Sequence, residues 1–401
     1  MLAFVIPART IVHVLRGLWC SASAGCEGDK VLDIIPSGVV TLVAFLVMLG
    51  LLVLVHELGH FLTAVWLGIK VDEFGIGYPP RAMTLFERNG VKYTLNWLPI
   101  GGFVRFGGEG ETLYGVGSLA AAAPWKKILV LVAGPLMNLL LAFVIFGALF
   151  AVNGVPADGA KLDKVYAGTP AAAAGFQSGD VILSMNGQSI GRNINNVSRI
   201  AHRNPGEPIE ALIQRGGQQV NVLVTPGPWT NPEDGAKYPV GFGFSYGSNP
   251  EIVHANLPTS IVTGISYTWE ILGRFITGLG QMFGGLIGTN EAPPGGVAGV
   301  VGIARGTGEV IERDGWNGFW QWTALISLNL FLVNLLPIPA LDGSHILFSL
   351  IELARRGKKI PPEKEAMVHA VGFMMLMGLM VIITVSDVAN WIGGASVLGG
   401  Q

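Results

Sequence analysis

Charged residues and cysteines are both scarce in this sequence. Only 13% of the 401 residues are Asp, Glu, Lys or Arg, against about 25% in soluble proteins, and 50% are hydrophobic. This composition excludes a soluble globular protein and an intrinsically disordered one. Two cysteines, Cys20 and Cys26, are too few for a disulfide framework or a cysteine-bound metal centre. Because the net charge is only −2, we expect no nucleic-acid partner.

Long apolar stretches take the place of the missing charge. About 20 mostly apolar residues cross a bilayer as a helix. Four stretches meet that length with almost no charged residue, and they cover residues 39–67, 128–152, 316–341 and 366–386. The sequence therefore predicts a multi-pass α-helical membrane protein with four transmembrane helices.

The distribution of Lys and Arg predicts the orientation. Twelve of the 25 Lys and Arg residues lie in segments 68–127 and 342–365, which join the first span to the second and the third to the fourth. Positive loops stay in the cytoplasm, so segment 153–315 is expected outside. A fifth span over 257–289 is the alternative, and it would turn the third and fourth spans in opposite directions.

Composition divides the chain into five segments. Residues 1–37 form an N-terminal extension that reads equally as a signal-like segment, an interfacial helix or an over-long gene start. The segments that follow are 38–152 with the first two spans and a cytoplasmic-side loop at 69–127, 153–247, 248–315, and 316–401 with the last two spans. Segment 248–315 carries apolar residues at helical spacing over 257–289 but also many glycines, and we expect it to lie as an amphipathic segment on the membrane surface.

The segment 153–247 changes in character from apolar to β-rich. It has short β-type runs and a tight-turn signal at Asn186-Gly187. Its stretch 168–190 resembles the core of a PDZ domain, and residues 239–244 are a candidate closing strand. PDZ domains bind peptide C-termini by strand addition, so the resemblance implies peptide binding. A β-rich spacer that binds nothing is the alternative.

One short motif carries the chemistry. His56 and His60 are four residues apart, so a helix places them on one face, where they can bind one Zn²⁺ with Glu57 beside it. Ionisable groups inside a span are functional by default. A catalytic zinc needs a third protein ligand. Asp342, at the end of the third span, is the best candidate, because that end faces the same side of the membrane as the two histidines. A loop or helix-cap role for Asp342 is the alternative, and His345 lies close by.

These residues resemble a known family. His56-Glu57-Leu-Gly-His60 together with segment 334–343, Asn-Leu-Leu-Pro-Ile-Pro-Ala-Leu-Asp-Gly, is similar to the site-2 proteases, which are intramembrane zinc metalloproteases. The single PDZ-like insert resembles their bacterial RseP/RasP branch. The motif Gly101-Gly102-Phe-Val-Arg looks like the family's membrane-associated β-loop.

The resemblance implies a role for each matching residue. His56, His60 and Asp342 match the metal ligands, Glu57 the general base, and Asn334 an Asn that holds the substrate or stabilises the oxyanion. Gly101 and Gly102 match a strand that binds substrate. The implied enzyme is a zinc endopeptidase of the bacterial cytoplasmic membrane, with its active site toward the cytoplasm and its PDZ domain outside.

The implied substrates are single-span membrane proteins, such as anti-sigma factors or remnant signal peptides, and the lipid bilayer is a further partner. The PDZ domain would then filter substrates by size or read new C-termini. A non-catalytic metal-binding scaffold or transporter is the alternative function. A third reading is another membrane peptidase of the His-Glu-x-x-His type, with Glu352 as its third ligand.

Overall fold

A computed structural model describes residues 37–107, 117–191, 195–233, 235–248, 251–286 and 299–393. Most of the N-terminal extension predicted at 1–37, and part of the segment predicted at 248–315, lie outside the described residues. The chain forms two compact units. The first contains the chain before residue 150 and after residue 263, and the second is Phe150–Thr263.

Helices dominate the first unit, and two short helices belong to the second. In chain order the helices are α1 (Ser37–Trp66), α2 (Pro124–Asn153), α3 (Pro170–Ala173), α4 (Asn195–Arg203), α5 (Leu257–Leu286), α6 (Val300–Leu335), α7 (Asp342–Ala354) and α8 (Pro362–Ile392). Strands β1 (Val71–Arg88) and β2 (Val91–Phe106) form the hairpin of the first unit.

Three helices of the described residues are long and apolar enough to cross a membrane: α1, α2 and residues 363–392 of α8. They match the first, second and fourth predicted spans, and by length and composition each could cross a membrane. Helix α6 is not among them.

The third predicted span, 316–341, is wrong as one continuous helix. Helix α6 begins earlier, at Val300, changes direction at Gly315 (φ 62°, ψ −150°), and ends at Leu335. Pro337 and Pro339 then prevent the helix from continuing, since proline lacks the N–H that the i→i−4 ladder requires. Residues 336–341 form a loop instead, and Asp342 opens the next helix, α7.

Both ends of α6 are in contact with α8. At the start of α6, the buried carboxylate of Asp387 accepts hydrogen bonds from the backbone N–H groups of Gly299 (3.0 Å) and Gly302 (2.8 Å). The N-cap residue, Gly299, has no side chain of its own for these free N–H groups, so a carboxylate from another helix caps them. Beyond the other end, Gly372 of α8 lies directly against Pro339 in the loop that follows α6.

The β1–β2 hairpin packs against α1. The chain reverses at Asn89-Gly90, where both residues have positive φ (53° and 80°), as a tight hairpin turn requires. Phe61 of α1 meets Phe74 of β1 with ring centroids 4.9 Å apart, and both rings are buried in one apolar cluster. The loop predicted at 69–127 is therefore largely a long two-stranded sheet fixed to α1.

A buried acidic residue ties the hairpin together internally. Glu73 accepts hydrogen bonds from Thr94 (2.7 Å) and Arg81 (2.7 Å) and pairs with Arg105 at 3.0 Å. Burial alone would raise the pKa of Glu73, but the hydrogen bonds from Thr94 and Arg81 and the nearby guanidinium charges outweigh it, and the pKa is lowered. The carboxylate is thus held ionised between the two strands.

The second unit is β-rich, as predicted. Its strands are β3 (Val155–Pro156), β4 (Ala160–Val165), β5 (Val181–Met185), β6 (Gln188–Ser189), β7 (Ile209–Arg215), β8 (Gln218–Val224), β9 (Gly227–Thr230), β10 (Lys237–Gly241), β11 (Phe244–Ser248) and β12 (Ile252–Val253). The main antiparallel sheet runs in the order β11-β4-β5-β7-β8, with β6 paired to β5.

Two details of this unit test the predictions made from the sequence. The predicted turn at Asn186-Gly187 is confirmed, since both residues have positive φ (47° and 70°) between β5 and β6. The single closing strand predicted over 239–244 is wrong, because the chain bends at Phe242-Gly243. Strand β10 pairs with β9 before the bend, and β11 pairs with β4 after it and closes the main sheet. Gly243 there has φ +81° and lies against Thr169, which leaves no room for a side chain.

Candidate metal centre

Three side chains that can bind a metal meet at one point. His56 and His60 lie one turn apart on α1, and both are buried. Their Nε2 atoms are 3.1 Å apart. Oδ2 of Asp342 lies 3.0 Å from Nε2 of His56 and 3.5 Å from Nε2 of His60. The structure therefore brings together the three residues that the sequence predicted as metal ligands.

Asp342 reaches this point by a different route from the predicted one. It is the first residue of α7, after the loop at 336–341, rather than the end of a transmembrane helix. Ala340 in that loop has φ +71°, a left-handed conformation that is rare for residues other than glycine. Gly343 is also required, because a Cβ there would lie 2.0 Å from the carbonyl oxygen of Leu336. The loop thus folds back tightly on itself before it presents the carboxylate.

The far nitrogens of both imidazoles contact helix α2. Nδ1 of His60 donates to the carbonyl of Val130 at 2.8 Å, which leaves the lone pair of Nε2 facing Asp342 and His56. Nδ1 of His56 lies 3.2 Å from the side-chain amide of the buried Asn138. The amide oxygen of Asn138 has no hydrogen-bond donor among the described residues. Rotating this amide by 180° lets its oxygen accept the Nδ1–H of His56, which frees Nε2 for a metal in the same way.

The arrangement fits zinc. Two ligand atoms about 2.0 Å from a tetrahedral centre stand about 3.3 Å apart, close to the three observed separations of 3.0, 3.1 and 3.5 Å. Helix α2 has no side chain at the position that faces the two Nε2 atoms, because that residue is Gly134. A Cβ at Gly134 would lie 2.3 Å from Nε2 of His60 and 2.9 Å from Nε2 of His56. Two neutral imidazole nitrogens and one carboxylate oxygen form a donor set that zinc prefers, and no side chain fills the space between them.

Glu57 lies at the edge of the same cluster. It is half-buried, and its carboxylate is within hydrogen-bonding reach of the backbone N–H of Val104 on β2. Together with His60 and Asp342 it lines a cavity of about 610 Å³. The wall of this cavity also contains His345 and Glu352, which the sequence analysis named, and five polar side chains that no motif indicated: Ser118, Lys127, Ser349, Glu365 and His369. An ionisable group next to the candidate ligands thus faces space large enough for water and peptide.

The two predicted substrate-binding glycines lie beside α1, the helix that carries His56 and His60. Gly101 (φ +73°) packs against Val53, and a Cβ there would lie 2.6 Å from a side-chain carbon of Val53. Gly102 packs against Leu54 in the same way. They let β2 approach α1 just before His56. Asn334 is half-buried in the last turn of α6, and it is not among the described residues that line the cavity.

Glu352, the alternative third ligand, is engaged elsewhere. Its carboxylate forms a buried ion pair with Lys127 at 2.9 Å and accepts the backbone N–H of Ile360 at 3.3 Å. Asp342, not Glu352, groups with the two histidines in the described part of the chain.

Comparison with known families decides the class of the protein. The model of peptidase family M50 matches residues 44–379, which include the motif helix and Asp342. The chain belongs to peptidase family M50. The resemblance to site-2 proteases is thereby confirmed.

Named relatives of this M50 chain are zinc metalloproteases. The zinc metalloprotease RasP of Oceanobacillus iheyensis is 30% identical over 87% of this chain and 98% of its own length. The zinc metalloprotease RasP of Geobacillus kaustophilus is 31% identical over 88% and 98%. The regulator of sigma-W protease RasP of Bacillus subtilis is 30% identical over 87% and 98%. The M50 chain is therefore an enzyme, a zinc metalloprotease, and zinc is its cofactor.

A solved PDZ domain matches part of the chain. The PDZ domain of the SdrC-like protein from Listeria monocytogenes is 18% identical, with a TM-score of 0.19, and the match covers 23% of the M50 chain and 90% of that domain.

Sequence reasoning missed the contacts from α2. Val130, Gly134 and Asn138 lie at i, i+4 and i+8 on that helix, so they share the face that meets the imidazoles. Asn138 was visible as a polar residue in an otherwise apolar span, which is a signal for a role inside the membrane. Val130 acts through its backbone, and no side-chain pattern indicates such a contact.

Proposed function

We propose that this protein is an intramembrane zinc endopeptidase that hydrolyses peptide bonds within or near the transmembrane segments of single-span membrane proteins. One observation carries the proposal. A helix apolar enough to cross a membrane, α1, holds His56 and His60 against Asp342 at 3.0–3.5 Å, with Glu57 facing a polar cavity beside them.

Each residue of the cluster has one task in this proposal. His56, His60 and Asp342 hold Zn²⁺, which, when bound, polarises the scissile carbonyl and makes water acidic enough to deprotonate near neutral pH. Glu57 accepts the proton of the attacking water and returns it to the leaving amine. Val130 and Asn138 fix the orientation of the imidazoles by binding their Nδ1–H groups. Asn334 holds the substrate or helps to stabilise the oxyanion, as the family resemblance implies.

The β1–β2 hairpin is proposed to bind the substrate as an added strand. A transmembrane helix hides its backbone in internal hydrogen bonds, so the substrate must unwind before it is cut. In the described residues, positions 73–76 of β1 pair with β2 on both sides, whereas positions 102–106 of β2 pair with β1 on one side only, so this part of β2 has an outer edge that can accept another strand. Gly101 and Gly102 lie on β2, and two residues later Val104 contacts Glu57. A peptide paired with this part of β2 would therefore pass the general base.

The proposed topology has four crossings, with part of α6 as the third. Its support is the basic character of segments 68–127 and 342–365, which predicts that both face the cytoplasm of a bacterial cell. The active site then lies toward the cytoplasmic side of the inner membrane. The β-rich unit lies outside as a PDZ domain that filters substrates or reads peptide C-termini, and the segment 248–315 lies along the membrane surface.

The substrate class is proposed from the resemblance and from one relative. The name of the Bacillus subtilis relative connects that protein to sigma-W. We therefore place anti-sigma factors first among the substrates, followed by remnant signal peptides.

The test is cleavage of a model single-span protein by the purified chain in detergent. Wild type, Glu57→Gln and Asp342→Asn are compared, and zinc is counted per chain in each. We expect Glu57→Gln to keep its zinc and lose cleavage, because it removes the base and leaves the three ligands. Asp342→Asn should lose both its zinc and its cleavage activity.

Cleavage by Glu57→Gln at the wild-type rate would refute the peptidase mechanism. A metal scaffold or transporter instead predicts that wild type and Glu57→Gln both bind zinc and that neither cleaves, since such a protein needs no base beside two ligands.

A further inference from the structure

Helix α8 contacts the loop that carries Asp342 at two positions one turn apart. Nδ1 of His369 accepts the backbone N–H of Ala340 at 3.0 Å, and the hydroxyl of Ser344 lies 3.4 Å from the same nitrogen. At Gly372, a Cβ would lie 1.9 Å from Cβ of Pro339, so the helix backbone touches the loop directly. One hydrogen bond and one close backbone contact thus hold the loop from one side.

The residue that His369 holds is in a strained conformation. Ala340 has φ +71°, which a residue with a Cβ adopts only when its surroundings enforce it. The hydrogen bond from its N–H to His369 is such an enforcing contact. Asp342 follows two residues later, and its Oδ2 lies 3.0 and 3.5 Å from the two histidine nitrogens. A change of backbone conformation at Ala340 would therefore move the Asp342 carboxylate.

We infer that His369 is a positioning residue that keeps Ala340 in the left-handed conformation and so aims the carboxylate of Asp342 at the metal centre. The inference rests on the proposed role of Asp342 as a zinc ligand. It adds a task for α8, which supplies none of the three proposed ligands.

A second metal site is the obvious alternative for this region. His345, Glu365 and His369 offer ligand atoms that all lie within 4.8 Å of one another. However, the two imidazole rings are stacked, with centroids 4.0 Å apart and planes at 19°, so their in-plane lone pairs run side by side and do not converge on one ion.

The protonation pattern also opposes a metal. Because Nδ1 of His369 accepts an N–H, the neutral ring carries its proton on Nε2, where a metal would need a lone pair. That Nε2 lies 3.9 Å from Oε1 of Glu365, which also accepts Nδ1–H of His345 at 3.2 Å. The stacked ring of His345 therefore orients His369 for its contact with Ala340, while Nε2 of His369 has no hydrogen-bond partner among the described residues.

The test measures zinc affinity of the metal-free, full-length protein in detergent by competition with a chromogenic chelator, a readout independent of cleavage. His369→Leu should bind zinc about tenfold more weakly, at the lower end of the range for lost outer partners of a metal site. His369→Asn should stay within about twofold of wild type, because its amide oxygen replaces Nδ1 at the same distance along the side chain.

Two substitutions at Ala340 test the same link from the side of the loop. Ala340→Val should weaken zinc binding as His369→Leu does, since a β-branched residue resists positive φ. Ala340→Gly added to His369→Leu should recover most of the lost affinity, because glycine adopts this conformation freely. Met375→Leu, an exposed position on α8, is the matched control and should bind zinc as wild type does.

The outcomes separate this inference from the proposed function. Wild-type affinity in His369→Leu, with weakened binding in Asp342→Asn, would overturn the positioning role and leave the ligand role intact. Equal losses in His369→Leu and His369→Asn would overturn it as well, since they would reflect packing of α8 alone. Wild-type affinity in Asp342→Asn would refute the ligand role itself.

Discussion

Replacing Gly134 by alanine tests the geometry of the metal centre most directly. The added Cβ would stand 2.3 Å from Nε2 of His60, 2.4 Å from its Cε1 and 2.9 Å from Nε2 of His56. Carbon and nitrogen atoms without a bond between them need about 3.4 Å or more, so the His60 ring must move by about 1 Å. The ring is held by the carbonyl of Val130, one turn earlier on the same helix as Gly134. It therefore cannot retreat from the methyl group while keeping that hydrogen bond.

The expected loss follows from the size of this displacement. A misplacement of about 1 Å in a reacting constellation costs roughly 100-fold, which corresponds to about 2.7 kcal/mol. We expect zinc affinity to fall at least about 100-fold in Gly134→Ala, with cleavage falling in parallel. Helix formation itself should gain up to about 1 kcal/mol, since alanine is the better helix former. Loss of zinc should therefore occur in a folded protein.

The assay is zinc affinity by chelator competition, together with thermal unfolding of the metal-free protein. Gly278→Ala is the matched control, because it makes the same substitution inside helix α5, where nothing lies within 4 Å of the new Cβ. It should bind zinc as wild type does. If Gly134→Ala also retains wild-type affinity, the close approach of the imidazoles to α2 is wrong, and the reasoning on the metal centre fails with it.

Three further predictions concern buried polar groups. Asn138→Leu removes the partner of His56 Nδ1, so chelator competition should show zinc bound at least about tenfold more weakly. Asn138→Asp should keep most of the zinc affinity, because its carboxylate can still accept the Nδ1–H of His56. Glu73 has a lowered pKa in the folded hairpin, so the stability it contributes is present above its unfolded pKa of about 4.3 and is lost as pH falls toward the folded value. Thermal unfolding against pH should therefore show wild type above Glu73→Gln near neutral pH and equal to it in acid. Asp180→Asn weakens the ion pair between the buried Asp180 and the partly exposed Arg215 (2.7 Å), and hydrogen exchange should show the second unit destabilised by about 1.5 kcal/mol.

Each of these predictions has a result that contradicts it. Equal zinc affinity in Asn138→Leu and wild type would show that His56 needs no partner at Nδ1. A stability difference for Glu73→Gln that does not change with pH would mean that shape, not charge, holds the hairpin. Unchanged exchange rates over residues 150–263 in Asp180→Asn would show that solvent already screens the pair with Arg215.

The grouping of His56, His60 and Asp342 was predictable because its parts are local or explicit. The spacing of His56 and His60 determines their common face once the segment is helical, whatever the rest of the chain does. Asp342 stood out as an acidic residue beside an apolar stretch. The route of the chain to Asp342 was not predicted, because hydropathy sums side chains and ignores the backbone. Pro337 and Pro339 are apolar enough to extend the predicted span but cannot continue its hydrogen bonds.

Contacts between helices were beyond a single sequence. Gly134 and Asn138 matter only because α2 packs on α1 in one particular register. The two helices are so close there that a Cβ added at Gly59 of α1 would lie 2.3 Å from the carbonyl oxygen of Ala133. The many glycines over 257–289 show in the same way that helix packing decides what a residue does. Helix α5 is continuous over its described length, and Gly264 within it lies against the backbone of Gly147 on α2. Small residues let two membrane helices approach closely, so here they favour packing over bending.

The contacts of α8 with the start of α6 and with the loop that follows α6 have a consequence for the order in which the fold can form. Asp387 caps the start of α6 and Gly372 touches the loop after its end, yet both residues follow α6 and Asp342 in the chain. A chain synthesised only as far as α7 already has the two histidines, the glutamate and Asp342, but it lacks the helix that braces the loop before Asp342. The proposed third ligand is therefore held in place only after α8 has packed.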